Sequence, residues 1–554
     1  MTKEVPSWKL TAEAPSETSF DSITRTKGID NIRETQAAYL NDESRYGEGT
    51  AEVIFFPRNE AEVAAVLREA ENQGTAVTIA GARTGLAGGA APRGGVVLSL
   101  EHMNALLNLR YNEESQKWHL VAQPGISLDE IREAIEYKKL EDLRPKCPEA
   151  VDQFLKEGID YFYPPDPTEM TAWLGGTVAT NASGAASFKY GATRPWIHRL
   201  RMVLAGGDML EVQRGTHFAS SEGVFQIKRS NGTEIPIILP TYTMPACKNA
   251  AGLYSKPEMD FIDLIIGSEG ILGVITEIEI ILEPHSEFMA LVIFLPSEEE
   301  AVGFVEDIRS SNVAPEFIEY FDPNAVELLR KKHQENPGSL PVPSFPPEAN
   351  AFIFLEVAYT EDSLEEIMMT LEEKANAHGT SMENTWAAME ANEIQKLKVL
   401  RHAIPETVNT IIAQRKRAFP AVHKLGTDMS VPDEHLQLIL SYYRDELTSA
   451  GLDFVIFGHI GDNHVHVNIL PQNEEELEQG KQLYLQFATK VVELGGSVSA
   501  EHGIGKLKRD FLQIMYGPQG LREIAAIKKA LDPRGILNPD CMISVDLLSY
   551  ERNS

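Results

Sequence analysis

The stretch Phe457-Gly458-His459-Ile460-Gly461-Asp462-Asn463-His464-Val465-His466-Val467-Asn468 places three imidazoles within eight residues, in a chain with only 14 histidines. Imidazole nitrogens bind transition metals readily, and a neutral ring also accepts a proton. A turn at Gly461-Asp462 followed by a strand sends His464, His466 and Asn468 to one face and Val465, Val467 and Ile469 to the other. A polar face backed by an apolar one is the pattern of a strand with one side in a pocket. One histidine there is more often structural; three together point to a metal centre or to proton transfer. A second segment, Ser499-Ala500-Glu501-His502-Gly503-Ile504-Gly505-Lys506, sets a carboxylate beside a histidine in a glycine-flanked turn. It reads as the completion of a two-histidine, one-carboxylate site with open positions, or as a helix start with Glu501 near the positive end of the dipole.

Three glycine-rich segments upstream have the composition of a cofactor cradle. Ala80-Gly81-Ala82-Arg83-Thr84-Gly85-Leu86-Ala87-Gly88-Gly89-Ala90 lies between two expected strands. Small residues let a backbone approach a pyrophosphate, and successive N–H groups can form an anion-binding nest. The segment is not GxGxxG, so the dinucleotide fold with that fingerprint is not supported, and a plain glycine-rich turn is the alternative. Tyr163-Pro164-Pro165-Asp166-Pro167-Thr168 leads to Leu174-Gly175-Gly176-Thr177-Val178-Ala179-Thr180-Asn181-Ala182-Ser183-Gly184. That composition suits a chain threading past a flat ligand, or close packing of strands and turns. The third segment, Gly267-Ser268-Glu269-Gly270-Ile271-Leu272-Gly273-Val274-Ile275-Thr276, runs into a strand.

The elements that must position these groups are α+β in pattern. AEVIFF from Ala51 reads as a strand, Asn59-Glu60-Ala61-Glu62 as a capping box with Asn as cap, and Gly74 as the helix end. Alternation returns in 201–212 and 275–282, with a break at Glu283-Pro284. Residues 138–170 are rich in proline and charge and read as a surface excursion. From 287 to 495 a second α+β domain is expected, and an amphipathic helix ending at Leu531 closes the chain. A length of 554 residues implies several domains. The net charge of −32 disfavours nucleic acid and anionic lipid as partners, and it requires local cationic groups if the substrate is a carboxylate. Cys147, Cys247 and Cys541 lie far apart, which excludes a cysteine-ligated iron–sulfur cluster. No apolar run has transmembrane length, and the opening residues do not read as a signal peptide, so a cytoplasmic location is the default expectation.

The glycine segments, in this order and spacing, resemble the FAD-binding (PCMH-type) domain of the vanillyl-alcohol-oxidase-type flavoproteins. GHIGD and AEHGIG, with Leu531-Asp532-Pro533-Arg534-Gly535-Ile536-Leu537-Asn538-Pro539, resemble its D-lactate and D-2-hydroxyglutarate dehydrogenase branch. The likeness runs from about residue 45. It implies an N-terminal arm (1–45), a two-subdomain FAD-binding domain (46–286), a substrate or cap domain with an antiparallel sheet (287–495), and a C-terminal segment (496–554) returning to the flavin domain. By the same resemblance, FAD contacts fall on Gly81, Ala82, Arg83, Thr84, Gly85, Leu86, Gly88 and Gly89. Further contacts are Pro165, Asp166, Thr168, Gly175, Gly176, Thr180, Asn181 and Gly184, then Glu269, Gly270, Gly273, Val274, Ile275 and Asn538. Some members attach the flavin through a histidine in the first loop; Arg83 and Thr84 stand there instead, which implies non-covalent FAD.

Carried over in the same way, His459, His466 and Glu501 are the ligands of a divalent metal (zinc, manganese or iron), and His502 is the base. Asn468, Arg401 and Lys424 contact the substrate. His464 stands where the family pattern has asparagine, and 138–160 is unusual for it. The implied reaction is oxidation of a small D-2-hydroxy acid, D-lactate first among candidates. The metal would hold the hydroxyl and carboxylate oxygens, His502 would take the hydroxyl proton, and Arg401 would hold the carboxylate. Electrons then pass to a non-NAD acceptor: a quinone, a cytochrome or an electron-transfer protein. Peripheral association at the inner membrane and a homodimer stay open. Two rival readings share the flavin fold. One is an ether-lipid alkyl-transfer synthase, a branch that tends to carry a histidine cluster where Ala500-Glu501-His502 stands here. The other is a flavin-holding electron-transfer subunit of a larger complex.

Overall fold

The computed structural model describes residues 7–9, 19–228, 232–336, 338 and 340–549; most of the opening segment read for a signal peptide lies outside them. In a four-stranded sheet of the first half, Val53–Phe55, Val96–Ser99 and Val77–Ala80 run parallel, with Arg25–Lys27 antiparallel at the edge. The helix Glu60–Gln73 supplies the crossover a parallel pair requires. Asn59 caps it by accepting from Glu62 N at 3.0 Å, and Gly74 ends it in the left-handed conformation. The Glu62 carboxylate accepts from Arg58 N at 2.9 Å and from the Asn59 side-chain amide at 3.3 Å, not from the Asn59 backbone N–H, so the expected box is displaced by one residue.

The second sheet has five antiparallel strands, in the order Met209–Gln213, Ile197–Val203, Val274–Ile281, Lys117–Ala122 and Leu106–Asn112. Residues 201–212 form one of its hairpins, with Val203 opposite Met209. Glu283-Pro284 is not a break but a two-residue strand paired with Tyr161–Phe162. Residues 138–170 are not a surface excursion either. Leu140, Leu143, Val151 and Phe154 are buried, and Pro148–Glu157 is a helix. Phe154 meets Trp118 edge-on at 5.1 Å, and the indole N–H donates to Glu157 Oε2 at 2.8 Å. Charged residues dominate the segment in number, but its few apolar side chains fall at helical spacing and cover the sheet.

The second half is built on an eight-stranded sheet. It runs in the order Thr385–Ala388, Phe288–Leu295, Ala351–Ala358, Pro315–Phe321, Phe454–Gly458, His464–Ile469 and Leu425–Gly426, with Met429–Ser430 also paired to His464–Ile469. Val465, Val467 and Ile469 sit in the buried cluster with Met429, Tyr443, Ile456 and Phe487. Burial of each stabilises by about 1.5–3 kcal/mol. A one-residue slip would expose all three, so this apolar face fixes which way the histidines point.

The helix Arg509–Leu531 bends at Gly517-Pro518 and delivers the chain back to the first sheet, where Leu537 bridges Val77 in parallel. Asn538 Oδ1 accepts from Ile79 N at 2.8 Å there. The parallel-containing and antiparallel sheets of the first half, the antiparallel sheet of the second and the returning C-terminal segment are the α+β architecture that the sequence implies. Among the described residues, no helix is long and apolar enough to cross a membrane.

Candidate active site

An elongated cleft of about 300 Å³ runs across the first half, a size ordinary for small-molecule and cofactor sites. Its walls are the loop 81–90, the turn and helix at 167–183, and the segment 268–275, with Asn538 behind them. A Cβ added at Gly85, Gly89 or Gly176 would enter open space, so backbone rather than side chain faces the cleft there. The Leu174–Thr180 helix ends at Asn181 in the left-handed conformation, whose Oδ1 accepts from Arg194 N at 2.9 Å. Arg83, also left-handed, stacks its guanidinium 4.0 Å from the centre of the Tyr39 ring. Asp42 joins the wall and accepts from Ala90 N at 3.2 Å, so the N-terminal arm is part of the cleft.

Several expected cofactor residues stand behind this wall. Pro165 and Val274 are buried in packing, and Asn181 is spent on Arg194. Gly88 packs on Tyr46, and Gly184 packs against the Asp166 carbonyl, where a Cβ would lie 1.7 Å away. The Asp166 carboxyl belongs to the neighbouring charged group around Arg401, His459 and Glu319; the surrounding protein raises it and Arg401 opposes that. Glu269 lines the cleft, yet its carboxylate is occupied by Ile504 N at 2.7 Å and Gly505 N at 2.6 Å. It thereby holds the 501–505 turn against the cofactor cleft. Lys506 adds a second tie, donating from Nζ to Gly88 O at 3.2 Å and Gly89 O at 3.0 Å.

That turn brings Glu501 and His502 to the end of the cleft. Around Glu501 the structure gathers His459, His464 and His466, with one ligand atom of each of the four within 4.8 Å of every other. His459 Nε2 and His466 Nε2 each lie 3.6 Å from a Glu501 oxygen. Their far nitrogens fix the rings: His459 Nδ1 donates to Glu319 Oε1 at 2.6 Å, and His466 Nδ1 donates to Thr427 O at 3.0 Å. Both Nε2 atoms therefore face the carboxylate. Lys248 Nζ, also buried, donates to Glu501 Oε2 at 3.1 Å and lies 3.5 Å from Asp462.

Electrostatics divide the histidines. Burial works against the His459 cation, but Glu319 and Glu501 outweigh it and lift the ring to about 9. Burial, with His464 beside it, pushes His466 down to about 3, and burial lowers His464 as well. Burial would raise Glu319 and Glu501; His459 and Arg401 hold Glu319 at about 2, and Lys248 and His459 hold Glu501 well below its usual range. His464 and His466, kept neutral by burial, and His459, whose proton a metal ion would displace, converge on an ionised carboxylate, a donor set fit for a divalent transition metal. On the other side, Asp428 Oδ2 lies 3.4 Å from His502 Nδ1 and accepts from Lys508 Nζ at 2.6 Å and Ser499 Oγ at 2.7 Å. Asp428 stays ionised against burial because His502 and Lys508 face it.

Arg401, on the helix Ala391–Arg415, places Nε 3.4 Å from Glu319 Oε1, next to the cluster. Asn468 shares the strand face of His466 and donates to its carbonyl at 3.3 Å. Lys424 is exposed and lowered by the protein around it. It lies just before the strand Leu425–Gly426, whose Gly426 is the register partner of Asn468. Sequence reasoning missed Glu319, Lys248 and Asp428. Glu319 did have a signal, a carboxylate inside the otherwise apolar strand Phe317-Ile318-Glu319-Tyr320-Phe321.

Comparison with known proteins places the site in context. Residues 51–151 and 148–213 match the model of an FAD binding domain, and 285–541 match that of the FAD linked oxidases, C-terminal domain. The chain is 26% identical over 538 residues to the glycolate oxidase subunit GlcD of Bacillus subtilis (strain 168), covering 95% of this chain and 97% of that one. It is 28% identical over 504 residues to a D-lactate dehydrogenase of Anaerostipes hadrus (89% and 90%). It is 27% identical over 511 residues to a D-2-hydroxyglutarate dehydrogenase of Stutzerimonas stutzeri (strain A1501) (91% and 93%). A solved structure of alkyldihydroxyacetonephosphate synthase shares the fold, with a TM-score of 0.57 at 16% identity over 89% of this chain and 76% of that one.

Proposed function

The chain is an FAD-linked oxidoreductase of vanillyl-alcohol-oxidase type, related to the glycolate oxidase, D-lactate and D-2-hydroxyglutarate dehydrogenases, and from that premise we propose that it oxidises a D-2-hydroxy acid, D-lactate foremost, to the 2-oxo acid. One observation carries the reading. Glu501 and His502, adjacent in sequence, face in one case a histidine cluster and in the other a carboxylate-held position, and both open onto the cofactor cleft.

Bound FAD supplies the acceptor for the hydride leaving the substrate Cα. A divalent cation held by His459, His466 and Glu501 supplies a Lewis acid that makes the substrate hydroxyl more acidic. The remaining work falls to side chains. His502 takes the hydroxyl proton, oriented through Nδ1 by Asp428, a base and its orienting carboxylate. Arg401 holds the substrate carboxylate; its partner Glu319 also holds His459, which ties carboxylate binding to the cluster. Asn468, beside His466 on its strand, and Lys424, next to the strand that pairs with it, would contact the substrate. These cations answer the charge problem set by a net charge of −32. The electrons leave to a quinone, a cytochrome or an electron-transfer protein.

The test is anaerobic mixing of purified holoenzyme with a panel of 2-hydroxy acids. Bleaching of the flavin by D-lactate or a longer D-acid supports the reading. A flavin that no 2-hydroxy acid reduces, with metal present, refutes it and leaves an electron-transfer subunit.

A further inference from the structure

We infer that His464 is a fourth protein ligand of the cation, so that the centre is a three-histidine, one-glutamate site rather than a two-histidine one. The inference rests on the metal-assisted reading above and deepens it. His464 is fully buried; its Nε2 approaches Asp428 Oδ1 at 3.1 Å, while its Nδ1 has no hydrogen-bond partner among the described residues. A buried imidazole nitrogen with no partner is costly, and a bound ion is one of the few things that satisfies it. Its surroundings instead present negative charge on two sides: Nε2 lies 3.1 Å from Asp428 Oδ1 and Nδ1 lies 3.8 Å from Glu501 Oε2.

The rings of His464 and His466 are 4.5 Å apart between centres, and those of His464 and His459 are 5.3 Å apart. Three imidazoles this close are mutually unfavourable as cations and favourable as neutral donors to one ion. With Nε2 turned to Asp428, Nδ1 is the nitrogen left to coordinate. Asp428 is thus the outer carboxylate of a carboxylate–histidine–metal arrangement, the partner that orients a ligating ring and raises its basicity. The same carboxylate faces His502 Nδ1 at 3.4 Å, so one anion aligns a metal ligand and the base together.

Coordination number follows. A substrate that offers its hydroxyl and one carboxylate oxygen brings two more donors to the four of the protein, giving six. A cation that accepts six nitrogen and oxygen donors, as iron(II) and manganese(II) do, suits this centre better than one restricted to four.

The test needs no variant at first. Pulsed EPR of holoenzyme reconstituted with a paramagnetic divalent ion counts the coordinated imidazole nitrogens. Three classes are expected, and two would overturn the assignment while leaving metal-assisted oxidation standing. Protein that takes up no ion at all would instead remove the reading on which the inference rests. His464→Asn, with FAD content as the check on folding, should lose one imidazole signal and weaken metal retention by more than about 100-fold, since outer partners alone are worth 10–100-fold. Unchanged imidazole count and affinity in FAD-loaded His464→Asn would overturn it independently.

Discussion

Asp428→Asn separates the chemistry of the site from its stability. The carboxylate accepts from Ser499 Oγ, Glu501 N, His502 N and Lys508 Nζ, and it lies beside the rings of His464 and His502. An amide of the same shape keeps an acceptor oxygen but removes the charge. Lys508, mostly buried, then faces only neutral acceptors, the amide oxygen and Ser499 Oγ at 3.0 Å, and stranding one partner of a buried ion pair costs about 3–5 kcal/mol. His502 loses the anion that sets its tautomer, and general-base assistance is worth about 10²–10⁴-fold. The variant should therefore melt earlier and show anaerobic flavin reduction slowed by about that factor, with FAD retained. Adding Lys508→Met should recover much of the melting temperature and none of the rate. Reduction at the wild-type rate in Asp428→Asn would refute the orienting role, and recovery of rate in the double variant would show that the defect was stability alone.

Further expectations follow from the same geometry. Glu501→Gln should abolish metal retention while the protein stays yellow; metal content equal to wild type would remove Glu501 from the ligand set. Among the described residues His502 is the one histidine lining the cleft, and the first loop carries none, so acid precipitation should release all the flavin to the supernatant; flavin remaining with the pellet would contradict non-covalent binding. Glu269→Gln weakens the tie between the cleft and the 501–505 turn, two charge-assisted bonds worth about 1.5–3 kcal/mol each. Reduced FAD affinity together with slower reduction is expected, and titration of apoprotein with FAD measures it. Burial pushes Asp322 from its ordinary 3.8 up to about 7, so its folded form resists ionisation and wild-type stability falls as pH rises from about 4 to 7. Asp322→Asn, still able to cap the helix Pro323–Glu335 at Ala325 N, should match wild type near pH 4 and exceed it at pH 8, by up to about 4 kcal/mol. A stability difference that does not change with pH would count against the shift.

Much of this site was legible because it is carried by local pattern. The alternation His464–Ile469 fixed which side chains share a face, and its apolar half is buried as that alternation demands. Gly74, the Leu531 helix end and the glycine segments followed from backbone chemistry within a few residues. What escaped depends on contacts between distant parts of the chain. No local signal links Lys248 to Glu501, 253 residues on, or Asp428 to His502. Residues 138–170 misled because charge and proline were weighed above four apolar side chains, and those four decide the packing. Small residues serve close packing as well as ligand approach, so composition alone does not say which of the expected cofactor residues line the cleft and which pack behind it.

The most direct measurement is flavin reduction under anaerobic conditions by the two enantiomers of lactate, before and after removal of the metal by a chelator. The D-enantiomer should bleach the native enzyme and leave the chelated enzyme yellow until the ion is restored. Equal bleaching with and without metal, or reduction by the L-enantiomer instead, would contradict a centre in which Glu501 and the histidines hold the ion that acts on the substrate.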